Sequence, residues 1–162
     1  KNKLYKLSQE EESVKSSDKI QVLLDSNYSN KEKTSLYENF IKSSDDINYE
    51  VMKSANIGID NILKYKQQSF TSDKEDNGTI DGKTVSGSKR DKVVTYLNSM
   101  NITGNQRLLL YAMQGYTTTS QQKTQLVNYV QSLNLDKDTR LKLYNKFSKF
   151  TVYKDGTIKY KM

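Results

Sequence analysis

The residues of this chain best suited to chemistry are its cations. Lys89, Arg90 and Lys92 stand close together, and Arg107 and Arg140 occupy matching places in two similar stretches, each followed four residues later by a tyrosine, Tyr111 and Tyr144. Guanidinium and ammonium groups in such a set could neutralise phosphates while tyrosine rings stack on bases, the chemistry of a small nucleic-acid-binding module. Against this, the 26 Lys and Arg residues are interspersed with 19 Asp and Glu, so the net charge of +7 is diffuse rather than gathered in a stripe. A Leu-x-Leu-Tyr pattern at helical spacing also reads as core, with the arginine stem covering the ring. The nucleic-acid reading is therefore the alternative, and a solvated surface is the primary expectation.

Two acidic groupings also bear on chemistry. The segment DKEDNGTIDGKT from Asp73 places Asp73, Glu75 and Asn77 at alternate positions with Gly78 at a turn, as in an EF-hand loop, but Thr84 stands where a bidentate glutamate is needed. It is expected to be a turn-rich linker. Asp45 with Asp46, and Glu10 to Glu12, sit in polar contexts at helix starts, where carboxylates favour the helix dipole rather than acting as general acids. There is no His and no Cys, which removes imidazole bases, thiol nucleophiles, disulfides and the usual zinc ligands. No phosphate-binding glycine loop or nucleophile elbow is present. The expectation is a non-enzyme with no cofactor, no metal and no small-molecule substrate.

The elements that would position these residues are helices. Hydrophobic residues make up 34% of the chain, well below the roughly 45–50% of ordinary domains, so the core must be small and partner surfaces are expected. No apolar run is long enough for a membrane span or a signal-peptide core, and the chain is expected to be soluble. Because it starts at Lys1, it is read as a segment of a longer protein. The organisation expected is mainly α: a polar helical lead-in over 1–16, an N-terminal helical lobe over 17–70, a Gly/Asp-rich linker over 71–87 with a possible small hairpin at Asp81-Gly82, and a C-terminal helical lobe over 88–162 closed by a β-hairpin.

Within the first lobe, Ser17 caps a helix carrying Ile20, Leu23 and Leu24, and Ser29 with Glu32 forms a capping box for a helix with Leu36, Tyr37, Phe40 and Ile41 inward. Further helices are expected over about 46–55 and 59–68. In the second lobe, helices start at Ser88, Thr103, Thr119 and Asp136, with Val93, Val94, Leu97, Met100, Leu108, Leu110, Leu126, Val127, Val130, Leu133, Leu141, Leu143, Tyr144 and Phe147 as candidate core. Asp155-Gly156 supplies the turn of a terminal hairpin, which must pack on helices or another chain because a lone hairpin is marginal.

An internal repeat ties these elements together. VTYLNSMNITGNQRLLLYAM from Val94 aligns without a gap on VNYVQSLNLDKDTRLKLYNK from Val127, pairing Tyr96 with Tyr129, Ser99 with Ser132, Arg107 with Arg140 and Tyr111 with Tyr144. A weaker third copy begins at Val22 and places Lys33 and Tyr37 on Arg107 and Tyr111. Each copy ends one helix at an Asn, inserts one apolar residue, and restarts at the cap Ser29, Thr103 or Asp136. Such units exist to bury an apolar face against a neighbour, so both lobes are expected to be built of short helix-cap-helix repeats.

The stretch VSGSKRDKVVTYLNSMNITGNQRLLLY, the second VNYVQSLNL and the closing FTVYKDGTIKY resemble the C-terminal region of tail tape-measure proteins of Firmicutes phages and prophages. The likeness is best over residues 78–162 and looser from about residue 20. It implies a virion structural protein, made in the bacterial cytoplasm, whose C-terminal segment engages tail-tip or tail-tube proteins and copies of itself. It carries over no catalytic residues. Gly104 in a first helical turn, where a better helix former is expected, and a first lobe only faintly repeat-like are the departures from the pattern.

Overall fold

A computed structural model of the chain describes residues 16–71, 78–80, 83–85, 89–153 and 158–160. These form α1 (Ser16–Leu24), α2 (Asn30–Phe40), α3 (Ile47–Ser54), α4 (Ile59–Thr71), β1 (Gly78–Ile80), β2 (Lys83–Val85), α5 (Lys89–Ser99), α6 (Gly104–Met113), α7 (Ser120–Ser132), α8 (Lys137–Tyr144), β3 (Phe150–Val152) and β4 (Ile158–Tyr160). The protein is mainly helical with a C-terminal two-stranded hairpin, as the sequence predicts. The expected lead-in lies outside the described residues apart from Ser16, as does Ser88. Because α1 begins at Ser16, Ser17 belongs to its first turn rather than to its cap.

Local hydrogen bonding explains where the helices start. Ser29, Thr103 and Thr119 each accept from the backbone amide three residues on, at 3.1, 3.2 and 3.1 Å, and Glu32, Gln106 and Gln122 return the bond to the cap amide. Each reciprocal box satisfies two amides that the first helical turn leaves without partners. Asp136 caps α8 by accepting from the Thr139 amide at 2.8 Å.

The described residues fall into two compact units: one takes the described residues up to Asp46 together with Gly58–Lys92, the other Ile47–Ile57 with Val93–Met162. In the first, α4 packs on α1 and α2, and Ile20, Leu23, Tyr37, Ile62 and Leu63 are buried. The buried edge of α2 consists of Lys33 and Tyr37, one turn apart, while Leu36 and Ile41 are half-buried and Phe40, expected inward, is 38% exposed. Strand β1 lies against α4 and pairs antiparallel with β2, Ile80 opposite Lys83 and Thr79 opposite Thr84. The stretch read as a linker therefore holds a hairpin belonging to the first unit. A strand ladder runs through the segment that resembles a calcium loop; Asp73, Glu75, Asn77 and Asp81 lie outside the described residues.

In the second unit α3 packs on α8 and α6 on α7, around the fully buried Tyr49, Met52, Leu97, Leu109, Leu110, Leu126 and Leu143. The expected lobe over 17–70 is thus not one packing unit, because residues 47–57 pack with the later helices. Apolar periodicity marks the buried face of α3 but does not say which helix covers it. Gln106, already in the α6 capping box, also donates to the Ala55 carbonyl at 2.8 Å and ties the end of α3 to the start of α6. Val94, Leu108, Val127, Leu133 and Leu141 are half-buried, not core.

The C-terminal hairpin pairs Phe150 with Tyr160 and Val152 with Ile158. It rests on α8 through aromatic contacts: the Phe150 ring stacks on Tyr144 at 5.9 Å and meets Phe147 edge-on at 5.2 Å. Those rings supply the support that two strands lack alone.

Candidate functional site

The repeated cation is the natural place to look for function, and its geometry turns it toward the chain's own backbone. Arg107 leaves the first turn of α6 and donates to three carbonyl oxygens around the end of α5: Leu97 at 3.1 Å, Ile102 at 3.1 Å and Met100 at 3.5 Å. Leu97 and Met100 also accept from the backbone amides of Met100 and Ile102, so the guanidinium adds a second donor to each and reaches Ile102 beyond the helix, where a cation is favoured by the helix dipole. Ser99 closes the same end by donating from Oγ to the Tyr96 carbonyl at 2.6 Å, and its repeat counterpart Ser132 does the same to Tyr129 at 2.5 Å. In the first unit Ser26 donates to Leu23 at 2.7 Å. The junction is thus capped on both sides, by a hydroxyl or carboxylate for the new helix and by serine or arginine for the old one.

Other cations act similarly. Lys19, 5% exposed, donates to the Phe40 carbonyl at the end of α2 at 3.2 Å, and Lys123, 2% exposed, donates to the Thr118 carbonyl. Lys33, which the repeat aligns with Arg107, does something different: it pairs with Asp60 at 2.9 Å across to α4.

The five residues read as phosphate contacts are divided between the two units. Lys92 is 3% exposed, and Arg107 is engaged with carbonyls. Lys89, Arg90 and Lys92 belong to the first unit, Arg107 and Arg140 to the second. Arg90 is exposed and Arg140 half-buried; the side chain of Lys89 lies outside the described residues.

One buried polar cluster escaped the sequence reading. Asp46, treated there as a helix-start carboxylate, is buried, accepts a 2.7 Å bond from the Tyr37 hydroxyl and pairs with Lys66 at 2.5 Å. Nothing in local spacing announces a partner twenty residues away on α4. Tyr37 and Lys66 both meet the carboxylate, the arrangement expected of a buried charge that ties helices together.

Backbone and side-chain hydrogen bonding from Thr139 holds the Asp136 carboxyl below the usual aspartate range. Burial pushes the Tyr116 and Tyr129 hydroxyls up, Tyr116 with help from Tyr111, on whose ring it stacks at 5.2 Å. Among the described residues no cluster of three acidic side chains is placed to hold a metal ion, and no helix is long and apolar enough to cross a membrane. No family model, curated protein or solved structure matches the chain.

Proposed function

We propose that this chain is a structural module, the C-terminal segment of a phage tail tape-measure protein, which docks on tail-tip or tail-tube proteins alongside copies of itself in the virion. The reading is supported by the resemblance over residues 78–162. The geometry that favours a mechanical role is the position of Arg107, whose guanidinium bonds to the carbonyls of Leu97, Met100 and Ile102. Repeated side chains used as helix caps are what a scaffold requires, since each capped junction holds two short helices that are marginal alone. Cryo-electron microscopy of the assembled particle is the test. Density for this segment at the tail tip is the expected result. A gene that encodes the segment alone, outside a tail-morphogenesis cluster, or a particle with no density for it, overturns the reading.

A further inference from the structure

Between Arg107 and Asp136 the chain holds a single charged residue, Lys123, although 28% of the whole sequence is charged. Lys123 is buried against the Thr118 carbonyl, so α7 presents no charge to solvent. Along its outer side run Gln121, Thr124, Gln125, Asn128 and Ser132, spaced to share one face of a helix. Together with Asn105 from the first turn of α6 and the half-buried ring of Tyr129 they line a groove of about 650 Å³.

The lining decides the class of ligand. An anion needs a cation or an array of amides at a helix start to meet it, and no charged side chain among the described residues lines the groove. A metal ion needs carboxylate, imidazole or thiolate ligands, and the described lining holds none. A protein hot spot needs an apolar anchor in a desolvated pocket, yet no aliphatic side chain among the described residues contributes. What remains is a row of neutral amides able to donate and to accept, beside one flat aromatic ring; the Thr124 and Ser132 hydroxyls donate to the Ser120 and Tyr129 carbonyls and offer the groove acceptors. The Gln125 amide donates to the Asn105 oxygen at 2.8 Å across α7 and α6. That bond fixes one wall of the groove and leaves each amide its complementary half: an acceptor on Gln125 and a donor on Asn105. A sugar hydroxyl is likewise both donor and acceptor, and the carbon face of a pyranose is flat and apolar.

We infer that this groove binds a neutral oligosaccharide, with the amides of Gln121, Gln125 and Asn128 bonding to hydroxyls and the Tyr129 ring lying against a sugar face. The inference rests on the groove and not on the tail reading. The test is to titrate the isotopically labelled 162-residue chain with neutral tetrasaccharides of glucose and of N-acetylglucosamine, following side-chain amide resonances, with a heparin tetrasaccharide as the anionic counterpart. At least one neutral sugar is expected to shift the amides of Asn105, Gln121, Gln125 and Asn128. Asn128→Ala and Gln121→Ala, both at exposed helical positions, are each expected to weaken binding about threefold to tenfold, the worth of one neutral hydrogen bond. They should leave the thermal midpoint in place, whereas Tyr129→Phe retains binding. No shift with either neutral sugar, shifts caused by heparin instead, or shifts elsewhere on the chain overturn the inference. Shifts at these amides that grow with protein concentration in the absence of sugar overturn it too, and identify the face as a contact between copies.

Discussion

Arg107 donates from Nε to the carbonyl oxygen of Leu97 at 3.1 Å, across the turn between α5 and α6. Ten residues separate the pair in sequence, and the bond joins the start of one helix to the end of the one before. With Thr103 accepting from the Gln106 amide in the same junction, side chains bond to the backbone on both sides of this break in the helix. An 11-residue α5 and a 10-residue α6 are shorter than helices that persist alone in water, so their junction and their packing hold them together.

Replacing Arg107 with Ala is expected to cost about 1.5–3 kcal/mol, the worth of charge-assisted bonds, with Leu97 and Met100 keeping their backbone donors. Arg107→Lys should recover only part of this, as a single ammonium cannot span three acceptors in a fork. Arg140→Ala, at the same repeat position but with no side-chain hydrogen bond among the described residues, should cost less than Arg107→Ala. Urea unfolding of the three variants measures the order, and equal losses at the two arginines count against the capping role.

The Asp46 cluster gives a larger expected effect. Its carboxylate is 6% exposed and holds both Lys66 and the Tyr37 hydroxyl, so Asp46→Ala leaves a cation and a buried hydroxyl without this acceptor. The expected loss is about 3 kcal/mol or more, against about 1 kcal/mol for Tyr37→Phe, which removes one hydrogen bond and keeps the ring. Denaturant midpoints for both variants check this. A Tyr37→Phe loss as large as that of Asp46→Ala would show that the ring environment, not the carboxylate, governs the site.

The local parts of this architecture were legible in the sequence, because capping boxes and Asp-Gly turns act over three or four residues. Ser29, Thr103, Thr119 and Asp136 cap the helices they were expected to cap, and β3 pairs with β4, while Asp155-Gly156 lies outside the described residues. Long-range consequences were not legible. The apolar spacing of α3 is satisfied equally by either neighbouring set of helices, and its actual cover comes from α8. Arg107 and Lys33 align in the repeat yet bond differently, one to carbonyls and one to Asp60. The repeat therefore conveys where a cation stands, while its partner depends on what the fold brings alongside. The amide groove escaped notice for a related reason: Gln, Asn and Thr on a helix face read as ordinary solvated surface until Asn105 closes the other side.

Two glycines separate cost from need. A Cβ added at Gly104 meets nothing within 4 Å and its backbone lies outside the left-handed region, so Gly104→Ala is expected to stabilise the chain by about 0.4–1 kcal/mol through the unfolded state. Gly115 follows α6 at φ +86°, where an L side chain is strained, and Gly115→Ala should destabilise by about 1 kcal/mol or more. Thermal midpoints moving in opposite directions are the expected result. A fall at Gly104 would mean that its flexibility serves the junction.

The acid side of the stability profile should carry the signature of Asp136. Its carboxyl accepts from the Thr139 amide and hydroxyl, which hold it below the ordinary aspartate value of about 3.9. A depressed folded value means the unfolded chain takes up the proton first, so the contribution of this cap is fully present above the ordinary value and is lost as pH falls through the folded one. Asp136→Asn keeps an acceptor for the Thr139 amide and has no proton to gain in this range. The variant is therefore expected to be less stable than the parent at pH 7, where the charged cap and the positive end of α8 attract, and to lose less stability between pH 5 and pH 2. Parallel slopes for the two proteins over that interval, measured by urea unfolding at fixed ionic strength, would exclude Asp136 as a source of the acid dependence.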